Sequence, residues 1–394
     1  MAAALVACGG SDDAPQAKLE TVAQWDRIQY DLGDATAEKA YNDNQTYKKV
    51  LAQGVQVDAQ GNMYVSTARW GGADVPATLS KLVKQADGSF KLQPYPSKAM
   101  NDVTNPAGLK AVLGFAIDRN NIMWMLDQGH VDGVATSSSD EKLIGWDIIN
   151  NVEKYRIEFA DTLYDKTCSF LNDVAVDNDN GFVYITDSGI RCDPLKGALM
   201  VYDYKNNQIR RILDGDTLTQ DEPNFAFSIH GRSVLKNGAM RTGADGIALS
   251  GDKATLYWTN LTGNNLYSVP TALLRDLTTP VSTIKAAVKG EALDFNTDGM
   301  TADRAGNIYL TALTKNGVYK RDAATGVIAP LFTSDDIAWA DTLAWGPDGS
   351  LYALSNHLHL WVDGDMNFAT PNAVANFRIY RWTGTVGAKP YTAQ

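Results

Sequence analysis

The chain has 394 residues, of which 44% are hydrophobic and 21% charged, an ordinary globular balance with no apolar run of about 18 residues or more to cross a bilayer as a helix. The net charge of −11, with Lys and Arg scattered, excludes the basic face that nucleic-acid phosphates require, and favours a cation or an amine over an anion as partner.

At the N-terminus, Leu5-Val6-Ala7-Cys8 resembles a bacterial lipobox, whose cysteine is lipidated, and Gly9-Gly10-Ser11-Asp12-Asp13 reads as a tether. No basic residue precedes Cys8, so the stretch is not a complete signal peptide, and an alanine-rich terminus with a chance cysteine competes with this reading. Residues 1–20 therefore read as a lipobox-like remnant and tether, and residues 21–394 as one domain. The expected setting is outside the cytoplasm: periplasmic, outer-membrane-anchored or secreted. A lipid on Cys8 would be the one membrane contact.

From Gln53 onward one pattern recurs: a short apolar strand, a turn rich in Asp, Asn and Gly, and a second strand with a central aromatic. The copies are QGVQVDAQGNMYVST, LGFAIDRNNIMWMLD, NDVAVDNDNGFVYITD, DGIALSGDKATLYWTN, DGMTADRAGNIYLTA and DTLAWGPDGSLYALSN, starting at Gln53, Leu113, Asn172, Asp245, Asp298 and Asp341. Each copy alternates with period two on both sides of its turn, the pattern of a β-hairpin. Further strand pairs follow most copies, as in GALMVYDYKNNQIRRIL from Gly197. Four strands repeated six times predict an all-β, six-bladed β-propeller with four-stranded blades. The extra length falls in residues 74–112 and 214–244, and TALLRDLTT near Thr271 reads as a turn of helix.

Cys168 and Cys192 lie symmetrically about the turn Asp177-Asn178-Asp179-Asn180-Gly181. A hairpin centred there sets them opposite each other at its open end, within reach of a disulfide suited to an exported protein, with two free thiols as the alternative.

Outside the repeat, several stretches resemble the major royal jelly protein/yellow family in that family's order. They are VAQWDRIQYDL, ARWGGADVPATLSKL from Ala68, KLIGWDIINNVEKYRIEF, SFLNDVAVDNDNGFVYITDSG, GADGIALSGDKATLYWTNLTGNNLYSVPTALLRD, WADTLAWGPDGSLYALSNHLH and NFRIYRW. The resemblance covers roughly residues 21 to 383. It implies a six-bladed propeller with an N-terminal strand closing the ring. The family's roles are unlike one another, including dopachrome tautomerisation and binding of biogenic amines, so fold alone does not set the activity.

Two sets of acids separate by position. Asp58, Asp118, Asp177 and Asp303 begin the hairpin turns, where a carboxylate accepts the turn's own amides. Asn172, Asp245, Asp298 and Asp341 begin innermost strands and should converge at one mouth of the axial channel. Carboxylates so placed repel one another unless a cation sits among them or one takes a proton. These residues are candidate calcium ligands, since calcium takes oxygen donors, although Gln53 and Leu113 break the ring. In this the column resembles the metal ring of gluconolactonases and paraoxonases, which are also six-bladed propellers. Asp127, Asp187, Asn260 and Asn356 end the second strands at the same rim, with Trp70 and His130 in adjoining loops. Trp70 beside carboxylates suits an amine or aromatic ligand. His130 and Asp298 are the candidate proton carriers. His357 and His359 alternate as if on a strand and read as structural.

The expected function is binding of a small amine or aromatic molecule at the axial mouth, extending to tautomerase-like chemistry. The alternatives are a calcium-dependent lactonase or esterase, and a surface scaffold for protein partners. No signal sets the oligomeric state.

Overall fold

A computed structural model describes residues 17–135, 137, 140–235 and 240–392; Cys8 and its tether lie outside them. Within the described residues six four-stranded antiparallel sheets form the blades. Blade 1 runs Gly54–Val57, Met63–Ser66, Leu79–Lys84 and Phe90–Pro94. Blade 2 runs Val112–Ile117, Ile122–Gln128, Glu141–Asp147 and Val152–Glu158. Blade 3 is Leu171–Asp177, Phe182–Asp187, Ala198–Asp203 and Gln208–Ile212. Blade 4 is Ala244–Leu249, Thr255–Asn260, Asn265–Pro270 and Lys289–Ala292. Blade 5 is Met300–Ala302, Ile308–Ala312, Gly317–Arg321 and Ile328–Thr333. Blade 6 takes Ala340–Trp345, Leu351–Ser355 and Phe377–Trp382 from the C-terminal part of the chain, and its outer strand, Leu19–Trp25, from the N-terminal part. That pairing closes the ring through backbone hydrogen bonds, so neither end of the repeat array is left as an open edge.

The first strand of each blade is innermost, and each packs against the first strand of the next blade around the axis. The predicted turn role of the first acid set follows from the hydrogen bonds. Asp58 accepts from the amides of Gln60 and Asn62 and from the Tyr64 hydroxyl, Asp118 from Asn120, Ile122 and the Trp124 indole, and Asp303 from Asn307 and the Tyr309 hydroxyl. In blades 1, 2 and 5 the recurring aromatic is thus the partner of the turn aspartate one hairpin arm away. Asp177 accepts from Asn180 in the same manner, and Asp179 pairs with Arg119 and Lys253, so the calcium-like string is a hairpin turn.

The Arg-aromatic stretch has its own keystone. Arg69 is 1% exposed and donates to the carbonyls of Val75 (3.0 Å), Leu109 (3.1 Å), Lys110 (2.8 Å) and Asn101. It ties the loop after blade 1's second strand to the segment entering blade 2, and thereby fixes its neighbour Trp70.

Cys168 and Cys192 are joined by a disulfide just beyond the Leu171–Asp187 pair, at the open end of the hairpin. The helical turn near Thr271 spans Thr271–Arg275. A further helix, Ala35–Asp43, is capped by Asp34, whose carboxylate accepts from Thr36 and Ala37. The sequence HLHLWV is helical rather than extended: His357 caps the helix Leu358–Val362 from a left-handed backbone (φ 53°), which removes the alternating geometry expected for His357 and His359.

Candidate functional site: the axial mouth

All six innermost-strand starts reach one cavity of about 210 Å³ at one end of the axis: Gln53, Leu113, Asn172, Asp245, Asp298 and Asp341. The residue that follows each start explains the close convergence. A Cβ built on Gly114 would lie 2.2 Å from the Asn172 carbonyl, on Gly246 2.1 Å from that of Asp298, and on Gly299 2.2 Å from that of Asp341. Only glycine lets neighbouring backbones approach so closely. In each Asp-Gly pair the glycine therefore serves the ring and the aspartate faces the mouth. Blades 3 and 6 depart from this column: blade 6 has Thr342 where four blades have glycine, and blade 3 has Asp173, which adds a fourth carboxyl to the cavity wall.

Trp70 and Phe170 form an aromatic wall, with ring centroids 5.5 Å apart. The Trp70 indole donates to Gln128 Oε1 at 3.0 Å, which holds the ring in place. Leu113, Phe115, Ile190, Met240, Leu261, Leu358 and Val362 supply the apolar remainder.

Each carboxyl of the mouth has limited support. Asp298 Oδ2 accepts from the Trp339 indole at 2.6 Å, Asp341 Oδ2 accepts from Asn356 Nδ2 at 2.5 Å, and Asp173 Oδ1 accepts from the Val174 amide. Among the described residues no Lys, Arg or His forms an ion pair with Asp173, Asp245, Asp298 or Asp341. Burial first, and mutual repulsion second, push Asp245, Asp298 and Asp341 well above the ordinary carboxylate range. Burial alone raises Asp173 to about 7.

The other sequence candidates fall elsewhere. Asp127 accepts from the amides of Lys110, Ala111 and Gly129 and pairs with the fully buried Lys142 at 3.2 Å. Asp187 does the same with Phe170, Gly189 and Arg211. Asn260 donates to the Gln220 carbonyl, and Asn356 to the Ala52 carbonyl as well as to Asp341. These four fasten loops and adjacent blades and do not line the cavity. They stand at the rim by strand register, but a second-strand end must satisfy backbone amides or carbonyls of the chain entering its own blade or the next, and this consumes the side chain. His130 also lies outside the cavity lining; burial, then Arg191, lowers its pKa.

Residues 110–383 match the major royal jelly protein family. The chain belongs to that family. Honeybee (Apis mellifera) major royal jelly protein 2 is 26% identical over 408 residues, covering 95% of this chain and 86% of that protein. Honeybee major royal jelly protein 7 is 26% identical over 261 residues, covering 64% of this chain and 56% of that protein. Among solved structures, a gluconolactonase from Xanthomonas campestris superposes with a TM-score of 0.51 at 14% identity, covering 93% of this chain and 89% of its own. Regucalcin from Agrobacterium tumefaciens, described as a calcium-binding protein, gives 0.51 at 16% identity, with 87% and 92% covered. At these identities the structural likeness carries the fold only.

The donor chemistry of this royal jelly family mouth, three strand-start carboxyls and the Asn172 amide, is of the kind calcium takes. Its arrangement does not fit a bound ion: among the described residues no three acidic, histidine or cysteine side chains are placed to hold one. Gln53 Oε1 accepts from the Ala68 amide, leaving its N–H₂ group unpaired beside the cavity, and the Leu113 side chain offers no oxygen.

Three of the four histidines cluster behind the mouth wall. His359 stacks on Trp339 with centroids 6.0 Å apart, His357 lies 6.1 Å from His359, and His230 bonds the Ile337 carbonyl. Burial, reinforced by the neighbouring histidines, lowers His357 and takes His359 down to about 4. A histidine depressed in the folded state contributes stability while neutral, and that contribution falls as pH drops below about 6.5 toward the folded pKa. His359→Phe is therefore expected to lose about 2 kcal/mol less stability than wild type between pH 7 and pH 5, as read by urea melts at the two pH values. Parallel losses in the two proteins would contradict this.

Proposed function

We propose that the protein is an exported propeller that binds a small organic cation with an aromatic ring at the axial mouth. The observation that carries this reading is the arc of carboxyls, Asp245, Asp298 and Asp341 with Asp173 beneath, in a cavity whose wall supplies no positive partner and whose side is formed by Trp70 and Phe170. An ammonium in that arc relieves the repulsion among the carboxyls, and an aryl group fills the aromatic wall. The cavity volume of about 210 Å³ suits a ligand of roughly ten non-hydrogen atoms. The Cys168–Cys192 disulfide supports an oxidising compartment.

Asp298 faces the cavity with one oxygen held by Trp339, so any proton movement at the mouth falls to it or to a neighbouring carboxyl, and not to His130. The second reading, a calcium-dependent lactonase, draws on the oxygen-rich donor set. The unpaired Gln53 amide and Leu113 weigh against it.

The test is a thermal-shift series with phenethylamine, its neutral analogue phenethyl alcohol, calcium and gluconolactone, with and without EDTA. The amine is expected to raise the melting temperature at concentrations where the alcohol does not, and EDTA is expected to change neither result. Stabilisation by calcium, with EDTA-sensitive lactone hydrolysis, would establish the second reading instead.

A further inference from the structure

We infer that the axial channel has a second entrance at the end opposite the mouth, and that residues 388–392 form a strap across it with Tyr391 as the stopper.

A cavity of about 400 Å³ lies at that end, walled by the hairpin turns at Asp58 and Asp118, by Ile247 and Met300, and by Pro390 and Tyr391 of the strap. Four residues, Phe115, Asp173, Gly299 and Thr342, border both this cavity and the mouth. The partition between the two is therefore one layer of residues deep. Gly299 gives it no side chain, and Thr342 Oγ1 is held by the Gln53 carbonyl at 2.6 Å. Among the described residues the Asp173 carboxyl accepts one hydrogen bond, from the Val174 amide at 2.8 Å. Its side chain is the least restrained part of the partition.

The course of the strap follows from its backbone bonds. The Gly387 amide donates to the Asp348 carbonyl in the blade 6 turn at 2.8 Å, the Arg304 amide to the Lys389 carbonyl at 2.7 Å, and the Tyr391 amide to the Ala302 carbonyl at 3.0 Å. Pro390 stands opposite Asp303 as an antiparallel bridge. An innermost strand has an axial edge with no strand beside it, and the strap fills that edge in blade 5. Proline costs nothing there, because in this register residue 390 turns its nitrogen away from blade 5. The Tyr391 side chain then crosses to blade 3, where its hydroxyl oxygen accepts from the Val176 amide at 3.3 Å. Tyr391 is 7% exposed and belongs to the buried cluster of Ala175, Ile247 and Met300, so one residue links blades 5 and 3 across blade 4.

The ring of blades does not depend on this segment. Closure is made by Leu19–Trp25 against Phe377–Trp382, before the strap begins. Release of three backbone hydrogen bonds and one side chain is thus a local opening, far smaller than the unfolding of a blade.

Thiol labelling tests the passage with no ligand present, so the outcome is independent of what the mouth binds. In a Cys8→Ser background, with Cys168 and Cys192 still joined, one cysteine is placed at the partition (Asp173→Cys) or at the mouth alone (Leu113→Cys). Its reaction with N-ethylmaleimide is followed by mass spectrometry, with and without Tyr391→Gly. Tyr391→Gly is expected to speed labelling at position 173 at least fivefold and to leave position 113 within twofold. No acceleration at 173, or equal acceleration at both positions, overturns the second entrance. Should Tyr391→Gly fail to fold, native-state hydrogen exchange of the wild type decides. The Val176 and Arg304 amides, which the strap alone holds, should exchange together and at least tenfold faster than the Val183 amide inside blade 3. Strap-held amides as slow as Val183 would show a fixed wall and overturn the inference.

Discussion

Arg69→Met is expected to destabilise the protein by about 4 kcal/mol, because the substitution strips buried carbonyls of their donor and each unpaired buried group costs about 1–3 kcal/mol. The carbonyls of Val75, Leu109, Lys110 and Asn101 belong to two separate segments, and among the described residues Arg69 is the side chain that joins them. The effect should reach the mouth, since Trp70 follows Arg69 directly and forms one wall of the cavity. Guanidinium denaturation is the check: the midpoint should fall with an unchanged slope. A loss below about 1 kcal/mol would show that water replaces the guanidinium without penalty.

Asp245→Asn should act in opposite directions on stability and on binding. A carboxyl whose pKa is raised in the folded protein weakens the fold at pH values above its ordinary pKa, because the unfolded chain ionises there more readily. Asparagine removes that burden, so the variant should melt higher than wild type at pH 7, with the gain vanishing below about pH 4. Its affinity for phenethylamine should fall at least about thirtyfold, the consequence of losing about 2 kcal/mol from a desolvated charge pair. A lower melting temperature with unchanged affinity would make Asp245 a scaffold residue.

The repeat fixes most of what can be read without coordinates. Hairpins with period-two alternation have one way to bury both faces, and the strand starts at Gln53, Leu113, Asn172, Asp245, Asp298 and Asp341 do meet in one cavity. Alternation reports which face a residue takes, but not which backbone groups its side chain must satisfy. Asp127 and Asp187 therefore resembled rim ligands until their backbone-amide partners, three for Asp127 and two for Asp187, were visible. The helix at Leu358–Val362 was hidden for a related reason: tertiary packing of Leu358 and His359 outweighs the strand-like alternation of HLHLWV.

Other residues had a signal that alignment of the repeats could have supplied. Asp173 occupies the column held by Gly54, Gly114, Gly246 and Gly299 and, in blade 6, by Thr342, and an acid where four blades need no side chain is an anomaly at the axis. Gln53 stood out as a break in the carboxylate ring. The break is itself informative, because it puts a donor where the other positions put acceptors. Phe170 and Thr242, by contrast, reach the mouth from connecting segments whose course no periodicity encodes.

The most direct test of the amine site is a crystal structure of the protein with phenethylamine bound. The ligand nitrogen is expected within hydrogen-bonding distance of carboxyl oxygens of Asp245, Asp298 or Asp341, and the ring against Trp70 and Phe170. A second cavity of about 400 Å³ lies at the opposite end of the axis, beside Asp58, Asp118 and Tyr391. Ligand density there, with the mouth holding only solvent, would contradict the account.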